Sequence, residues 1–298
     1  MGIIKKVINR SFYELRVMQS FFAKHFMKAP TVLSVDETLQ LVIEKHYSIS
    51  RNGDGELDLM MGKAIEFQRY DQRLSQILRE ALSANMDKYL SCLLDIFNNY
   101  DYFTPSAHQY FDNYLKEKRF YYYSFAKANR YGNAAISRFY MGLADKSGSH
   151  SKVLKLKKIW ENQDVLLIEG KDSRLGVNND LFNGAKKVRR ILGPAENAFD
   201  KYDEMMSVIE EQADRNTLIL LALGPTATAM AYELAKKGFW AVDIGHIDIE
   251  YEWFLMGATK KVPIHGKYTN ESTEGKLIGA LPEDALEKYH NEVIARCF

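Results

Sequence analysis

Residues 217–245 read TLILLALGPTATAMAYELAKKGFWAVDIG. Two short apolar runs, TLILLA and FWAVDI, flank a stretch of helix formers that opens on Gly-Pro-Thr and closes on Lys-Lys-Gly. Short apolar runs bounded by turn residues read as buried strands, and strand, helix, strand in that order is the βαβ unit of a parallel sheet. Working outward, DVLLIEG (164–170) and RRILGP (189–194) supply two more such runs, with amphipathic segments near 198–213 and 226–237 between and after them. The expected fold is therefore α/β: a parallel sheet covered by helices, preceded by a mainly helical N-terminal part.

That N-terminal part extends to about residue 150. LSVDETLQLVIEKHYSI (33–49) carries a capping box, Ser34 with Glu37, and residues 72–99 and 106–130 hold helix formers with few breakers. SRNGDGELDL (50–59) interrupts them: glycines on both sides of Asp54 favour a tight turn holding Arg51, Asp54 and Glu56 near one another. GLADKSGSHSK (142–152) is small and polar, a soft boundary before the sheet-forming half. The aromatic-rich FYYYSFAKANRYGN (120–133) reads as core or interface.

Composition narrows the function by exclusion. The 298 residues carry a net charge of +1, 46% hydrophobic and 27% charged residues, so nothing draws the chain as a whole to nucleic acid. Cys92 and Cys297 are too few for a disulfide framework or a zinc site. No apolar run reaches the length of a membrane span, and the first segment lacks the apolar centre of a signal peptide, so a cytoplasmic setting is expected. Residues 1–28 are biased, however: Lys5, Lys6, Arg10, Arg16, Lys24 and Lys28 face one acid, Glu14, along an apolar stripe. A basic amphipathic helix over 1–30 either packs on its own domain or makes peripheral contact with the inner membrane face.

Open parallel sheets bind ligands at the carboxyl ends of their strands. Those ends deliver Glu169, Ser173 and Arg174, then the Gly224, Pro225, Thr226, Ala227 turn at a helix start, which reads equally as an anion site or as a structural strand-to-helix connection. FWAVDIG runs into IGHIDIEYEW (244–253), whose His246, Asp248 and Glu250 alternate with Ile247 and Ile249. Read as an extended strand, that spacing puts the histidine and both acids on one face. Two carboxylates on one face are suited to a hard divalent cation that would bridge a substrate diphosphate.

Several stretches together resemble one family, the bacterial glycosyltransferases of the GT-D fold (DUF1792). They are SISRNGDGEL, FQRYD, YGNAAISRFYM, LKKIWENQDVLLIEGKDSRLGVNNDLF, AFDKYDEM, LALGPTATAMAYELAKKGFWAVDIGHIDIEYEWF and KYTNE, in order from about residue 34 to 271. The resemblance implies a GT-D type domain over 31–298, with a Rossmann-like part at 151–271 and a C-terminal helix at 281–298. It implies transfer of a hexose, glucose or galactose, from a UDP-sugar to a glycan on a surface glycoprotein or polysaccharide precursor. Mn²⁺ or Mg²⁺ would be held by Asp248 and Glu250; apart from the resemblance, either a carboxylate or a histidine such as His246 would assist deprotonation of the acceptor hydroxyl, and His246 reads equally as a hydrogen-bonded strand residue. Around the nucleotide sugar the resemblance places Arg51, Gly53, Asp54, Glu56, Ser173, Arg174 and the Gly224–Ala227 turn. Asn52 stands where the family pattern suggests an aromatic, and Val177 where it often has glycine. A lipid-linked acceptor and a homo-oligomer fit the same reading. Its rivals are a non-catalytic nucleotide-sugar-binding partner and a metal-dependent phosphoester hydrolase.

Overall fold

The computed structural model describes residues 2–298 apart from 99, 270, 273, 276 and 277, and for residues 2–9 the backbone only. In chain order the elements are α1 (Gly2–Phe26), α2 (Val35–Lys45), β1 (Ser48–Asn52), α3 (Asp54–Met60), α4 (Gln72–Ser83), β2 (Tyr89–Leu93), α5 (Pro105–Phe125) and β3 (Gly132–Asn133). There follow α6 (Ser149–Lys157), β4 (Asp164–Gly170), β5 (Lys187–Gly193), α7 (Tyr202–Gln212), β6 (Leu218–Ala222), α8 (Pro225–Lys236), β7 (Trp240–Asp243), α9 (Ile247–Leu255), α10 (Glu283–Glu292) and β8 (Val293–Arg296). Among the described residues, eight strands form one sheet in the order β3-β2-β1-β7-β6-β4-β5-β8, with parallel pairing throughout.

Period-two burial builds the two cores. Leu166 and Ile168 of β4, with Ile219 and Leu221 of β6, pack on the face covered by α4, α5, α7 and α8. Val165, Leu167, Leu218 and Leu220 pack on the other, under α2, α6 and α9. Both faces are apolar, which is why these strands read as continuous hydrophobic runs.

The βαβ reading of 217–245 holds, as do the strands in DVLLIEG and RRILGP. The first half is less purely helical than expected, because β1, β2 and β3 come from it and join the same sheet. SISRN and YLSCL are five-residue strands between helix-rich stretches, too short for periodicity to separate them from helix. At the other end the expected terminal helix stops at Glu292, and the chain continues into β8 on the sheet edge.

Residues 244–253 depart most. Strand β7 ends at Asp243, Gly245 turns the chain at φ 45°, and Ile247–Leu255 is helix, with His246 at its N-cap. Ile247, Asp248, Ile249, Glu250, Tyr251 and Trp253 are all buried. A helix enclosed on every side loses the one-sided apolar stripe, so alternation of polar and apolar letters imitates a strand. The consequence is geometric: two positions apart on a helix, Asp248 and Glu250 face nearly opposite sides.

Helix α1 packs along α5, with an Arg16–Glu117 ion pair at 3.0 Å, and leaves Phe12, Met18, Phe21, Phe22 and Phe26 more than half exposed. Lys5 and Lys6 lie outside the residues whose side chains are described. No helix among the described residues is long and apolar enough to cross a membrane.

Candidate functional site

The chain leaves β1 toward β2 on one side, while β7, its other neighbour, is followed by a path that ends at β8 on the far edge. Such a reversal of strand order opens a crevice outside the carboxyl ends, here between β1 and β7. Arg51 and Asp243 line it. The Arg51 Nε–H donates to Asp243 Oδ1 at 3.2 Å and to its carbonyl at 3.1 Å, while Nη1 donates to Ser137 Oγ at 2.7 Å. Asp243 is 2% exposed and also accepts from the Arg51 and Gly245 N–H groups and from Thr228 Oγ. So many donors satisfy a carboxylate that would otherwise be costly to bury. Gly245 is required where it stands, since a Cβ there would lie 1.5 Å from Arg51 Nη2.

A second cationic group adjoins the first. Arg138 ion-pairs with Glu271 Oε1 at 2.5 Å and with Glu250 Oε1 at 3.5 Å, and Lys261 reaches Glu271 Oε2 at 2.5 Å. Against the cost of burial, these two bases and His246 hold the Glu271 carboxyl far below its ordinary value. His246 Nδ1 stands 3.8 Å from Glu271. Burial, reinforced by Arg138, pushes the imidazole down to about 3, so it stays neutral and is a weak proton acceptor at physiological pH.

Gly53 opens α3, and the Glu56 side chain accepts from its N–H at 2.8 Å. Tyr110 of α5 donates to Asp54. Burial pushes the Glu56 carboxyl up to about 7 against the pull of that N–H, with Asp243 and Asp54 adding repulsion. A carboxyl poised there is matched to proton transfer at neutral pH. Because the folded value is the higher one, the folded state keeps a proton that the unfolded chain releases above about 4.5. Glu56 therefore supports the fold fully below that pH and loses this contribution as pH rises through 7. Glu56→Gln should match the parent in thermal melts near pH 4.5 and exceed it by on the order of 2 kcal/mol above neutrality. A constant difference across the series would contradict the shift.

The other expected positions separate from this group. Asp248 accepts from the Gly176 N–H at 2.8 Å, Asn179 Nδ2 at 2.9 Å and Lys267 Nζ at 2.7 Å; Lys267 also donates to Glu252 at 2.7 Å. Glu250, on the far side of α9, accepts from the Tyr140 and Met141 N–H groups besides Arg138. Two diverging carboxylates, each filled by protein donors and each beside a cation, do not fit one shared divalent ion. Among the described residues no group of three or more His, Cys, Asp or Glu is placed to hold one. Arg174 donates to the Gly266 and Gly279 carbonyls, tying the loop after β4 to the C-terminal segment, with Ser173 in the turn before it. Thr226 and Ala227 are buried, and Phe67 lies so close over Gly224 that a Cβ there would approach its ring to 2.6 Å. The start of α8 is covered by the 67–68 loop, since Thr226 Oγ donates to Gln68 at 3.4 Å. Glu169 is wholly buried against Arg190 at 2.6 Å.

Asp243, Arg138 and Glu271 were missed as site residues by the sequence reading. The rule that strand ends carry function would have reached Asp243, the last residue of β7. Arg138 and Glu271 sit in irregular segments, where no periodicity points inward.

The fold and crevice define a Rossmann-like α/β protein with its polar site at the carboxyl edge of the sheet. The glycosyltransferase GT-D fold family matches residues 49–272, and the chain belongs to that family. It is 42% identical over 266 residues to a probable glycosyl transferase, Gly, of Streptococcus gordonii, and 36% identical over 284 residues to the glycosyltransferase GlyD of Streptococcus pneumoniae serotype 4. These alignments cover 89% and 94% of the chain but only 38% and 34% of the relatives, so the chain spans little more than a third of their length. Among solved structures, a DUF1792 glycosyltransferase from Streptococcus sanguinis superposes with a TM-score of 0.86 at 39% identity, covering 91% of this chain and all of that one. A second DUF1792 structure, described as a distinct glycosyltransferase fold, gives 0.86 at 38% identity, covering 93% and 99%.

Proposed function

We propose that the chain transfers a hexose, glucose or galactose, from a UDP-sugar to a hydroxyl of a glycan acceptor, and that the reaction centre is the β1–β7 crevice. The observation that carries this reading is Glu56, with its carboxyl raised to about 7, beside a crevice lined by arginines in a chain of the GT-D family. The acceptor oxygen bonds to the anomeric carbon, and the bond from that carbon to the diphosphate breaks with its electron pair leaving on UDP. The acceptor proton passes to Glu56. Arg138 and Lys261, both near Glu271, offset the charge that gathers on the diphosphate. His246, neutral and weakly basic, is better suited to a hydrogen bond with substrate than to proton abstraction. A divalent cation, Mn²⁺ or Mg²⁺, belongs to this proposal as a companion of the substrate diphosphate, not as an ion chelated by Asp248 and Glu250.

The test is a panel of UDP-sugars scored by thermal shift, followed by UDP release with and without acceptor glycans. A UDP-hexose that stabilises the fold and is turned over faster with acceptor supports transfer. Turnover indifferent to acceptor would identify a hydrolase instead.

We place the protein in the cytoplasm, against the inner membrane face through α1. The exposed aromatics of that helix, with Arg10, Lys24 and Lys28 exposed on it and just beyond it, support this setting. Protein lacking residues 1–28 should pellet with anionic vesicles far less than the full chain, and equal pelleting would remove the membrane contact.

A further inference from the structure

A cleft of about 550 Å³, lined in part by Arg138, opens at the sheet edge beyond the carboxyl ends of β2 and β3. Leu39 and Ile136 contribute to its apolar lining, and Asp95, Tyr102, Asp145 and Lys152 to its rim. The rim is stitched together: Thr104 N–H donates to the Gly142 carbonyl at 2.9 Å, Ala144 N–H to the Tyr102 carbonyl at 3.0 Å, and Tyr102 Oη to the Asp95 carbonyl at 3.1 Å. Within this frame one charged group is left over: the Asp95 carboxylate takes no hydrogen bond from a described residue, whereas Lys152 lies close enough to Asp145 to interact with its charge. Tyr102 keeps 42% of its surface exposed.

We infer that this cleft is the acceptor subsite and takes a neutral hexose unit of a glycan, an assignment that rests on the glycosyltransferase reading above. Three features select that ligand. The lining carries three carboxylates, Asp95, Asp101 and Asp145, against two bases, Arg138 and Lys152, so an anionic nucleotide is disfavoured there. A carboxylate without a partner beside an exposed aromatic ring is what a sugar needs, an acceptor for its hydroxyls and a flat apolar surface for its C–H face. Its volume lies within the range of small-molecule sites. Position agrees as well. Asn52 of β1 pairs with Leu93 of β2, so Asp95 and the start of α3 leave the sheet from neighbouring strands, about 5 Å apart at their ends. Arg138 lines the cleft and also contacts Glu250 and Glu271, joining the two sites.

Two variants test this without touching the crevice: Asp95→Asn, which removes the free carboxylate, and Ala144→Trp, which fills the cleft from an exposed position. Binding of glucosyl, galactosyl and N-acetylglucosaminyl nitrophenyl glycosides, at millimolar concentration with UDP present, is followed by saturation-transfer NMR. UDP affinity is measured by calorimetry. The parent should bind at least one glycoside, both variants should weaken it about tenfold or more, and their UDP affinity should stay within about twofold of the parent. No glycoside bound by a parent that binds UDP, unchanged glycoside binding in both variants, or a parallel loss of UDP affinity would each overturn the assignment. A parent that binds neither UDP nor any UDP-sugar would instead sink the glycosyltransferase reading, and the subsite with it.

Discussion

Replacing Lys267 with methionine should lower the stability of the fold by about 3–5 kcal/mol, the usual cost of stripping one partner from a buried ion pair. Lys267 is 2% exposed, and its ammonium donates to Asp248 Oδ2 and Glu252 Oε1 at 2.7 Å each. Methionine fills a similar volume and leaves two carboxylates sharing an enclosed space with only Asn179 and the Gly176 N–H to face them. For a chain of this size the melting temperature should fall by roughly 10 °C or more. Adding Asp248→Asn to Lys267→Met should recover part of the loss, because one of the stranded charges is then gone. The same experiment separates a structural role for Asp248 from a metal-binding one. An ion-pair network melts alike with Mn²⁺ and with EDTA, whereas a metal ligand would give Asp248→Asn a penalty that appears only when the ion is supplied.

The second large effect concerns Glu56. Glutamine keeps an acceptor for the Gly53 N–H, so the start of α3 is preserved, and it removes the group able to take a proton. General-base catalysis contributes about 10²–10⁴ in rate, and Glu56→Gln should lose transfer by that factor. UDP binding should change little, since Arg138 and Lys261, the side chains proposed to offset the diphosphate charge, are untouched. The expected gain in stability above neutral pH means that lost activity in this variant cannot be blamed on unfolding.

The sheet-forming half was readable because its strands are buried on both faces: DVLLIEG, TLILLALG and FWAVDIG cannot be placed anywhere but inside. β1, β2 and β8 escaped notice. SISRN is stabilised by lying between β2 and β7, a long-range pairing that its five letters do not encode. The site was half readable. Arg51 and Glu56 stood out because Gly53 and Gly55 read as a tight turn; the structure has a helix start there instead, Gly53 capping α3 and Gly55 lying within it, and that start sits at the crevice. Asp248 and Glu250 stood out through a strand period that belongs to a buried helix, and their spacing then pairs Asp248 with Glu252 through Lys267 rather than with Glu250. The raised carboxyl of Glu56 and the depressed imidazole of His246 arise from burial and from Asp243 and Arg138, contacts distant in sequence.

The most direct measurement is the initial rate of UDP release from UDP-glucose and UDP-galactose, with acceptor glycan present, for the parent and Glu56→Gln at neutral pH. Calorimetric UDP affinity and melting temperature are recorded on the same samples. A fall of about 100-fold or more with UDP affinity and folding retained is the predicted result. A rate within about threefold of the parent would contradict it, because the proton would then leave by another route and the crevice between β1 and β7 would not be the reaction centre.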